Sequence, residues 1–226
     1  MIRAVIFDFD GVISDSEPAH YKAFNQLLTD HEIHLSRQQY YSKYLGTTDE
    51  ELFQMVSAEY NTDYNGTSID ELVKRKAVFF AELIEKEDHI VEGVAHLLES
   101  LAKNNIRIAI CSGASAEDIN VMLKGSGLEK YFQVIVASDH VPKGKPDPAG
   151  YTLALEKLNQ TETNPILPSQ TVAIEDSHWG IEAAAAAEMH TIAVAGTYTA
   201  EELTMAEIVV ENINELNIVK FSEFGV

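Results

Sequence analysis

Short apolar runs that stop abruptly at a charged or small polar residue recur along this chain. Residues 4–7 (AVIF) end at Asp8, 106–111 (IRIAIC) at Ser112 and Gly113, 134–137 (VIVA) at Ser138 and Asp139, and 171–174 (TVAI) at Glu175 and Asp176. Runs this short, apolar without alternation and rich in β-branched residues, are what a strand covered on both faces requires. Each therefore predicts a buried parallel strand whose carboxyl end is polar. Residues 191–194 and 208–210 predict two more. Between the runs, residues 94–103, 116–124, 149–159 and 181–188 carry helical spacing, and strand and helix in alternation predict right-handed βαβ units in an α/β fold. Five consecutive alanines, 183–187, predict a helix lying close on the sheet.

The rhythm breaks between residues 15 and 89. This stretch of 75 residues has apolar positions at helical spacing, such as Tyr21, Phe24, Leu27 and Leu28, then Leu72, Val78, Phe79, Leu83 and Ile84, and no convincing strand. It predicts an all-α domain over 15–89 inserted into a core made of 1–14 and 90–226.

Charge narrows the function. Sixteen Lys and Arg against 36 Asp and Glu leave a formal charge of −20 in 226 residues, too few cations to build the basic face that nucleic acid needs, so no nucleic-acid partner is expected. The insertion is acidic too, with 15 Asp and Glu against 7 Lys and Arg. A small phosphorylated substrate remains compatible, provided a local cation reverses the field. Cys111 is the single cysteine, and inside an apolar run it predicts a buried, inert thiol. No segment approaches the roughly 18 apolar residues of a membrane span, so no membrane association and a cytoplasmic location are expected. A monomer is the default expectation.

Ligands of open parallel sheets bind beyond the carboxyl ends of the strands. The first strand ends in Asp8-Phe9-Asp10-Gly11, and alternation puts Asp8 and Asp10 on one side. Two carboxylates so close repel unless a metal or a shared proton relieves them, and oxygen ligands favour Mg²⁺. Ser112 and Gly113 offer a hydroxyl and backbone N–H groups to an anion at a helix start. The loop 143–148 (KGKPDP) supplies Lys145, and Glu175 and Asp176 follow the fourth run. This set suits phosphoryl transfer, with an attacking acid, cations to balance charge and a second acid to move the proton. Taken alone each residue has a bland reading, since Ser and Asp are ordinary helix caps and Lys145 beside Pro146 is an ordinary loop residue.

In order along the chain, Asp8-Phe9-Asp10-Gly11-Val12, Ser112, Lys145-Pro146 and Glu175-Asp176-Ser177 resemble the four motifs of the haloacid dehalogenase superfamily. The opening DFDGVISDSEPAH and the helical insertion resemble its branch with a small helical cap. The resemblance implies a doubly wound, Rossmann-like core, a mobile cap and Mg²⁺-dependent catalysis through an aspartyl phosphate. It implies Asp8 as nucleophile, Asp10 as general acid/base, and Ser112 and Lys145 as ligands of the phosphoryl group. Mg²⁺ would be held by Asp8, the Asp10 carbonyl and Asp176, with Glu175 as a further ligand or supporting partner. Gly113, His20, Gly46, Thr48 and Lys76 match substrate-facing positions.

Lys76 belongs to the basic cluster Lys74-Arg75-Lys76, whose bland reading is a solvated helix face. Trp179 has two readings, cover for the site edge or packing against the sheet, and the second is the expectation. The leading reading is a Mg²⁺-dependent phosphatase of a small phosphorylated metabolite such as a sugar phosphate. The alternatives are a hexose-phosphate mutase similar to β-phosphoglucomutase and a non-catalytic phosphate-sensing or interaction module. Against the mutase, Asp49 stands where it has a cationic residue, and Ala114-Ser115 replaces a Ser-Lys pair.

Overall fold

The computed structural model describes residues 1–45, 47–86 and 89–224. Strand β1 (Ala4–Phe7) is followed by helices α1 (Glu17–Thr29), α2 (Arg37–Lys43), α3 (Asp49–Tyr60) and α4 (Ile69–Lys86). Then come α5 (Val94–Lys103), β2 (Arg107–Cys111), α6 (Ala116–Leu123), β3 (Val134–Val136), α7 (Ala149–Asn159), β4 (Thr171–Glu175), α8 (His178–Ala186), β5 (His190–Val194), β6 (Ile208–Val210) and α9 (Ile218–Phe221). The six strands form one parallel sheet in the order β3-β2-β1-β4-β5-β6.

Every residue of β1 is fully buried, which is why its sequence is apolar without alternation. Ile6 lies opposite Ala109 of β2 and Ala173 of β4, so small side chains flank a large one. On one face, Ala154, Leu155 and Leu158 of α7 and Ala183 and Ala184 of α8 pack with Ile6, Ala109 and Ala173. The alanines let α8 approach the sheet, as their clustering predicts. From β1 the chain winds outward through β2 to β3, and from β4 it winds the other way through β5 to β6. The doubly wound switch point therefore falls between β1 and β4, where such sheets open a crevice at their carboxyl ends.

The chain divides into two compact units, Met1–Asp15 with His89–Val226, and Ser16–Asp88. The junctions lie one residue inside the 15–89 stretch expected from spacing. The Asp15 N–H donates to the His89 carbonyl at 2.8 Å, and Ser14 bridges Ile90, so the two segments at the junction pair with each other within the first unit.

The second unit is helical with its own core, in which Phe24, Leu27, Leu28, Leu35, Phe53 and Leu72 are buried together. Its helix starts follow local rules: Ser36 with Gln39 caps α2 and Thr48 with Glu51 caps α3, each reciprocally. In α4 the sequence reading needs correction. The buried positions are Leu72, Lys76, Phe80 and Ile84, every fourth residue, and Val78 is 59% exposed. A lysine thus holds a core position. Its Nζ donates to Asp49 Oδ1 at 2.8 Å and meets His20 Nδ1 at 2.6 Å, while it lies 4.8 and 5.0 Å from the ring centres of Phe24 and Phe80. Lys74 stays exposed and Arg75 pairs with Asp30, so the solvated-face reading holds for the first two residues of the cluster and fails for Lys76.

This buried ion gives an ordering of stabilities. Removing one partner of a buried pair leaves an uncompensated charge, whereas an apolar replacement of similar volume removes the need for the partner. Asp49→Ala should cost about 1–3 kcal/mol, and Lys76→Met should be near neutral. Urea unfolding of the two variants checks this, and equal costs would contradict it. His20 adds a pH term, because burial and then the neighbouring Lys76 push its pKa well below the usual 6.5. The unfolded chain takes up a proton near pH 6.5 that the folded chain refuses, so this contribution is full above that pH and is lost as the pH falls below it. His20→Gln should flatten that part of the stability profile.

Candidate functional site

The carboxyl ends of β1 and β4 lie side by side, and the backbone fixes their relation: the Asp8 N–H donates to the Ile174 carbonyl at 2.8 Å. Past Asp8 the chain turns, with Phe9 fully buried and Asp10 half-buried. The turn closes through N–H donation from Ile13 and Ser14 to the Phe9 carbonyl and from Gly11 to the Ser14 carbonyl. Gly11 sits at φ +79°, and a Cβ there would lie 1.9 Å from Asp176 Oδ2. Only glycine suits both the left-handed backbone and the approach to that carboxylate.

Asp8, Glu175 and Asp176 each offer a carboxylate oxygen within 4.8 Å of the others, and all three are buried. Lys145, on the loop between β3 and α7, sends its Nζ to Asp8 Oδ1 and Glu175 Oε1, both at 2.5 Å. Glu175 is held from several sides. The Tyr151 hydroxyl of α7 donates to Oε1 at 2.6 Å, and the Ser177 hydroxyl donates to Oε2 at 3.1 Å. Gly180 of α8 faces the same carboxylate so closely that a Cβ would stand 1.9 Å from it. Asp176 Oδ2 accepts from the Thr197 hydroxyl, beyond the end of β5.

Burial, then the charge of Glu175, raises the Asp8 pKa well above the carboxylate range, and Lys145 opposes the shift. Burial raises Asp176 to about 7, against the Thr197 hydrogen bond. Burial alone would depress Lys145, but Asp8 and then Glu175 outweigh it and keep the ammonium charged. The cluster is thus short of positive charge. Its donors are oxygens only, which fits a hard divalent cation held by Asp8 and Asp176 with Glu175 beside them.

Of the residues expected from the sequence, the structure brings Asp8, Lys145, Glu175 and Asp176 into mutual contact or close approach. Asp10 follows in the same turn. Ser112 directly follows β2, buried, with its N–H on the Val136 carbonyl and its Oγ accepting the Ala114 N–H at 2.9 Å; Gly113 beside it is exposed. The expected helix start at Ser112 is corrected. Helix α6 begins at Ala116, capped by Ser115, and its first N–H goes to Asp139 at 3.0 Å. An anion at Ser112 would therefore meet the turn rather than a helix end. His20 and Lys76 lie together in the helical unit, and Thr48 caps α3; Gly46 lies outside the described residues.

Sequence reasoning missed Tyr151 and Thr197. The strand-end rule, applied to β5, points to the loop holding Thr197, whereas Tyr151 looks like an ordinary apolar position of α7. Cys111 is buried with its pKa raised by burial to about 12, an inert thiol. Trp179 departs from its expected packing and is 53% exposed at the start of α8.

The profile of the haloacid dehalogenase-like hydrolase family matches residues 5–194. A phosphorylated carbohydrates phosphatase of Thermotoga maritima is 30% identical over 195 residues, 84% of each chain. β-Phosphoglucomutase of Bacillus subtilis is 28% identical over 96% of this chain and 92% of its own. Among solved structures, CbbY of Rhodobacter sphaeroides in complex with phosphate superposes with a TM-score of 0.83 at 26% identity, covering 98% of this chain and 100% of that one.

Two glycines separate backbone strain from collision. Gly66 also sits at φ +79°, but nothing lies within 4 Å of its added Cβ. Gly66→Ala should cost about 1–2 kcal/mol, the left-handed backbone alone. Gly11→Ala should cost more, because the Asp176 carboxylate must also move. Thermal unfolding of both variants checks this, and equal losses would mean that the turn after β1 does not press on Asp176.

Proposed function

The chain belongs to the haloacid dehalogenase-like hydrolase family, and we propose that it hydrolyses a small phosphorylated carbohydrate through an aspartyl phosphate on Asp8, with Mg²⁺ as cofactor. It is a phosphoric monoester hydrolase. The observation that carries the reading is the Lys145 ammonium set between Asp8 and Glu175, with Asp176 completing a buried acid cluster. Such a cluster has no structural need of three carboxylates, and burying them is costly without a chemical purpose.

In the first half-reaction an Asp8 carboxylate oxygen bonds to phosphorus as the bond to the substrate oxygen breaks. Asp10 in its acid form gives its proton to the departing alkoxide. In the second half-reaction water bonds to phosphorus, Asp10 takes its proton, the bond to the Asp8 oxygen breaks, and inorganic phosphate leaves. Lys145 opposes the rise that burial and Glu175 impose on the Asp8 pKa and meets the charge of the phosphoryl oxygens. Ser112 lies at the adjoining strand end to bind the same group. When bound by Asp8, Asp176 and the Asp10 carbonyl, with Glu175 supporting, Mg²⁺ supplies charge neutralisation between two anions that otherwise repel. Glu175 itself, fixed by Tyr151, Ser177 and Lys145, chiefly orients Lys145.

A mutase would use the same attack and differ in the acceptor. It must hold a second phosphate while the intermediate turns over, which calls for cations there. Lys76 of the helical unit is already engaged by Asp49 and His20, so water is the favoured acceptor. With β-glucose 1-phosphate, Mg²⁺ and a trace of glucose 1,6-bisphosphate, the protein should release phosphate or do nothing. Conversion to glucose 6-phosphate without stoichiometric phosphate release would overturn this choice. A screen of sugar phosphates with and without EDTA tests the wider reading, and no metal-dependent phosphate release would defeat it.

Asp8→Asn should abolish turnover and any acid-labile phosphoenzyme, because an amide is neither anionic nor nucleophilic. Asp10→Asn should lose about 10² to 10⁴ in rate on alkyl phosphates and much less on p-nitrophenyl phosphate, whose leaving group needs no proton. Equal losses on both would remove Asp10 from that role.

Protons and the cation compete for the same carboxylates. In the metal-free fold Asp8 and Asp176 have raised pKa values, so the stability they contribute is present below about pH 4 and is lost as pH rises towards 7, the Asp176 value. Mg²⁺ should therefore raise the Tm more at pH 8 than at pH 5, and Asp176→Ala should remove most of that difference. A pH-independent shift would place the ion elsewhere.

A further inference from the structure

Three aromatic side chains border the acid cluster without entering it. Trp179, second residue of α8 and 53% exposed, meets the Tyr198 ring edge-on, with ring centres 6.5 Å apart and planes at 71°. Tyr198 in turn lies against His178, with centres 4.6 Å apart. The chain places this group tightly. Thr197, next to Tyr198, donates to Asp176, and Gly180, next to Trp179, faces the Glu175 carboxylate. Burial and then the charge of Asp176 raise the Tyr198 pKa, so its hydroxyl lies within the field of that carboxylate. Tyr198 also packs beside Ile181, Ala193 and Leu203, which anchors the group on the sheet.

A single exposed apolar side chain is ordinary, but this indole is not isolated: it stands against Tyr198, which lies in turn against His178, next to residues that hold the acid cluster. Successive helix residues point about 100° apart. With Gly180 turned inward to Glu175, Trp179 is carried to the rim at the carboxyl edge of β4. We infer that Trp179, backed by Tyr198 and His178, is a stacking shelf for the sugar ring of the phosphorylated substrate. The C–H face of a pyranose or furanose is apolar and suits an aromatic plane, while its hydroxyls remain in water. An acyl phosphate or free phosphate has no such face and passes the shelf unaffected. The shelf selects by the part of the substrate that does not react. This inference rests on the phosphatase reading above, and its test separates the two.

Trp179 is the single tryptophan of the chain, so its fluorescence reports the shelf directly. In Asp8→Asn, which binds without turnover, glucose 1-phosphate, glucose 6-phosphate and ribose 5-phosphate are titrated against acetyl phosphate and inorganic phosphate. At least one sugar phosphate should change the emission saturably, with less than a third of that change from acetyl phosphate or inorganic phosphate. In the otherwise native chain, Trp179→Ala should raise KM for that sugar phosphate about tenfold, and Trp179→Phe should restore most of it. Neither should change kcat/KM for acetyl phosphate by more than twofold.

Equal emission changes from sugar phosphates and inorganic phosphate would overturn the shelf, and so would equal losses on sugar and acetyl phosphates in Trp179→Ala. Turnover of acetyl phosphate with none of the three sugar phosphates would overturn it as well, leaving the phosphatase intact. Absence of turnover on every phosphate ester and acyl phosphate would instead bring down the phosphatase reading, and the shelf with it.

Discussion

Lys145 is one ammonium among three buried carboxylates, and much of the surrounding structure follows from that imbalance. Acids in a medium of low polarity must be hydrogen-bonded, paired or protonated. The first two are visible here. Glu175 takes donors from Lys145, Tyr151 and Ser177; Asp176 takes the Thr197 hydroxyl; Asp8 shares Lys145. Glycines stand at 11 and 180 where any side chain would strike these carboxylates. Even so, one positive charge against three leaves the raised pKa values of Asp8 and Asp176, a deficit that a bound divalent cation would remove.

This concentration also reconciles an acidic protein with a phosphorylated substrate. A formal charge of −20 repels anions at long range, so on the reading proposed above binding rests on contacts made at the strand ends. The sheet provides them because parallel strands converge there. Asp8 and Ser112 directly follow β1 and β2, Glu175 is the last residue of β4, and the loop after β3 delivers Lys145. The topology places four separate stretches of chain at one edge, and the largest sequence distance bridged, from Asp8 to Glu175, is spanned by a single lysine side chain.

The strand ends were legible because two signals coincide there: apolar runs that a buried strand requires, and polar residues at which those runs stop. What escaped reading lacked one of the two. Tyr151 lies in the middle of a helix, and nothing in its neighbours says that its hydroxyl reaches Glu175. Thr197 follows β5 by three residues, behind a glycine, with no charge to mark it. Lys76 looks solvated beside Lys74 and Arg75, yet α4 buries every fourth residue and carries the lysine inward with Leu72, Phe80 and Ile84. Trp179 fails in the opposite sense, since an indole near a sheet reads as core. The inward place on that turn of α8 belongs to Gly180 instead, because a carboxylate occupies the space a side chain would need.

The positions of Thr197 and Tyr198 have a consequence for how selectivity and chemistry are linked. Adjacent residues of one short loop touch Asp176 and Trp179 respectively. A change in that loop moves the hydrogen bond on an acid of the cluster and the backing of the exposed indole together. Had the two contacts come from separate loops, ring recognition could drift while the charge balance at Asp176 stayed fixed. Carried by one peptide, they cannot be tuned independently by backbone changes. If Trp179 is the shelf inferred above, side-chain substitutions at Trp179 or Tyr198 are the route by which substrate preference changes while the acid cluster keeps its geometry.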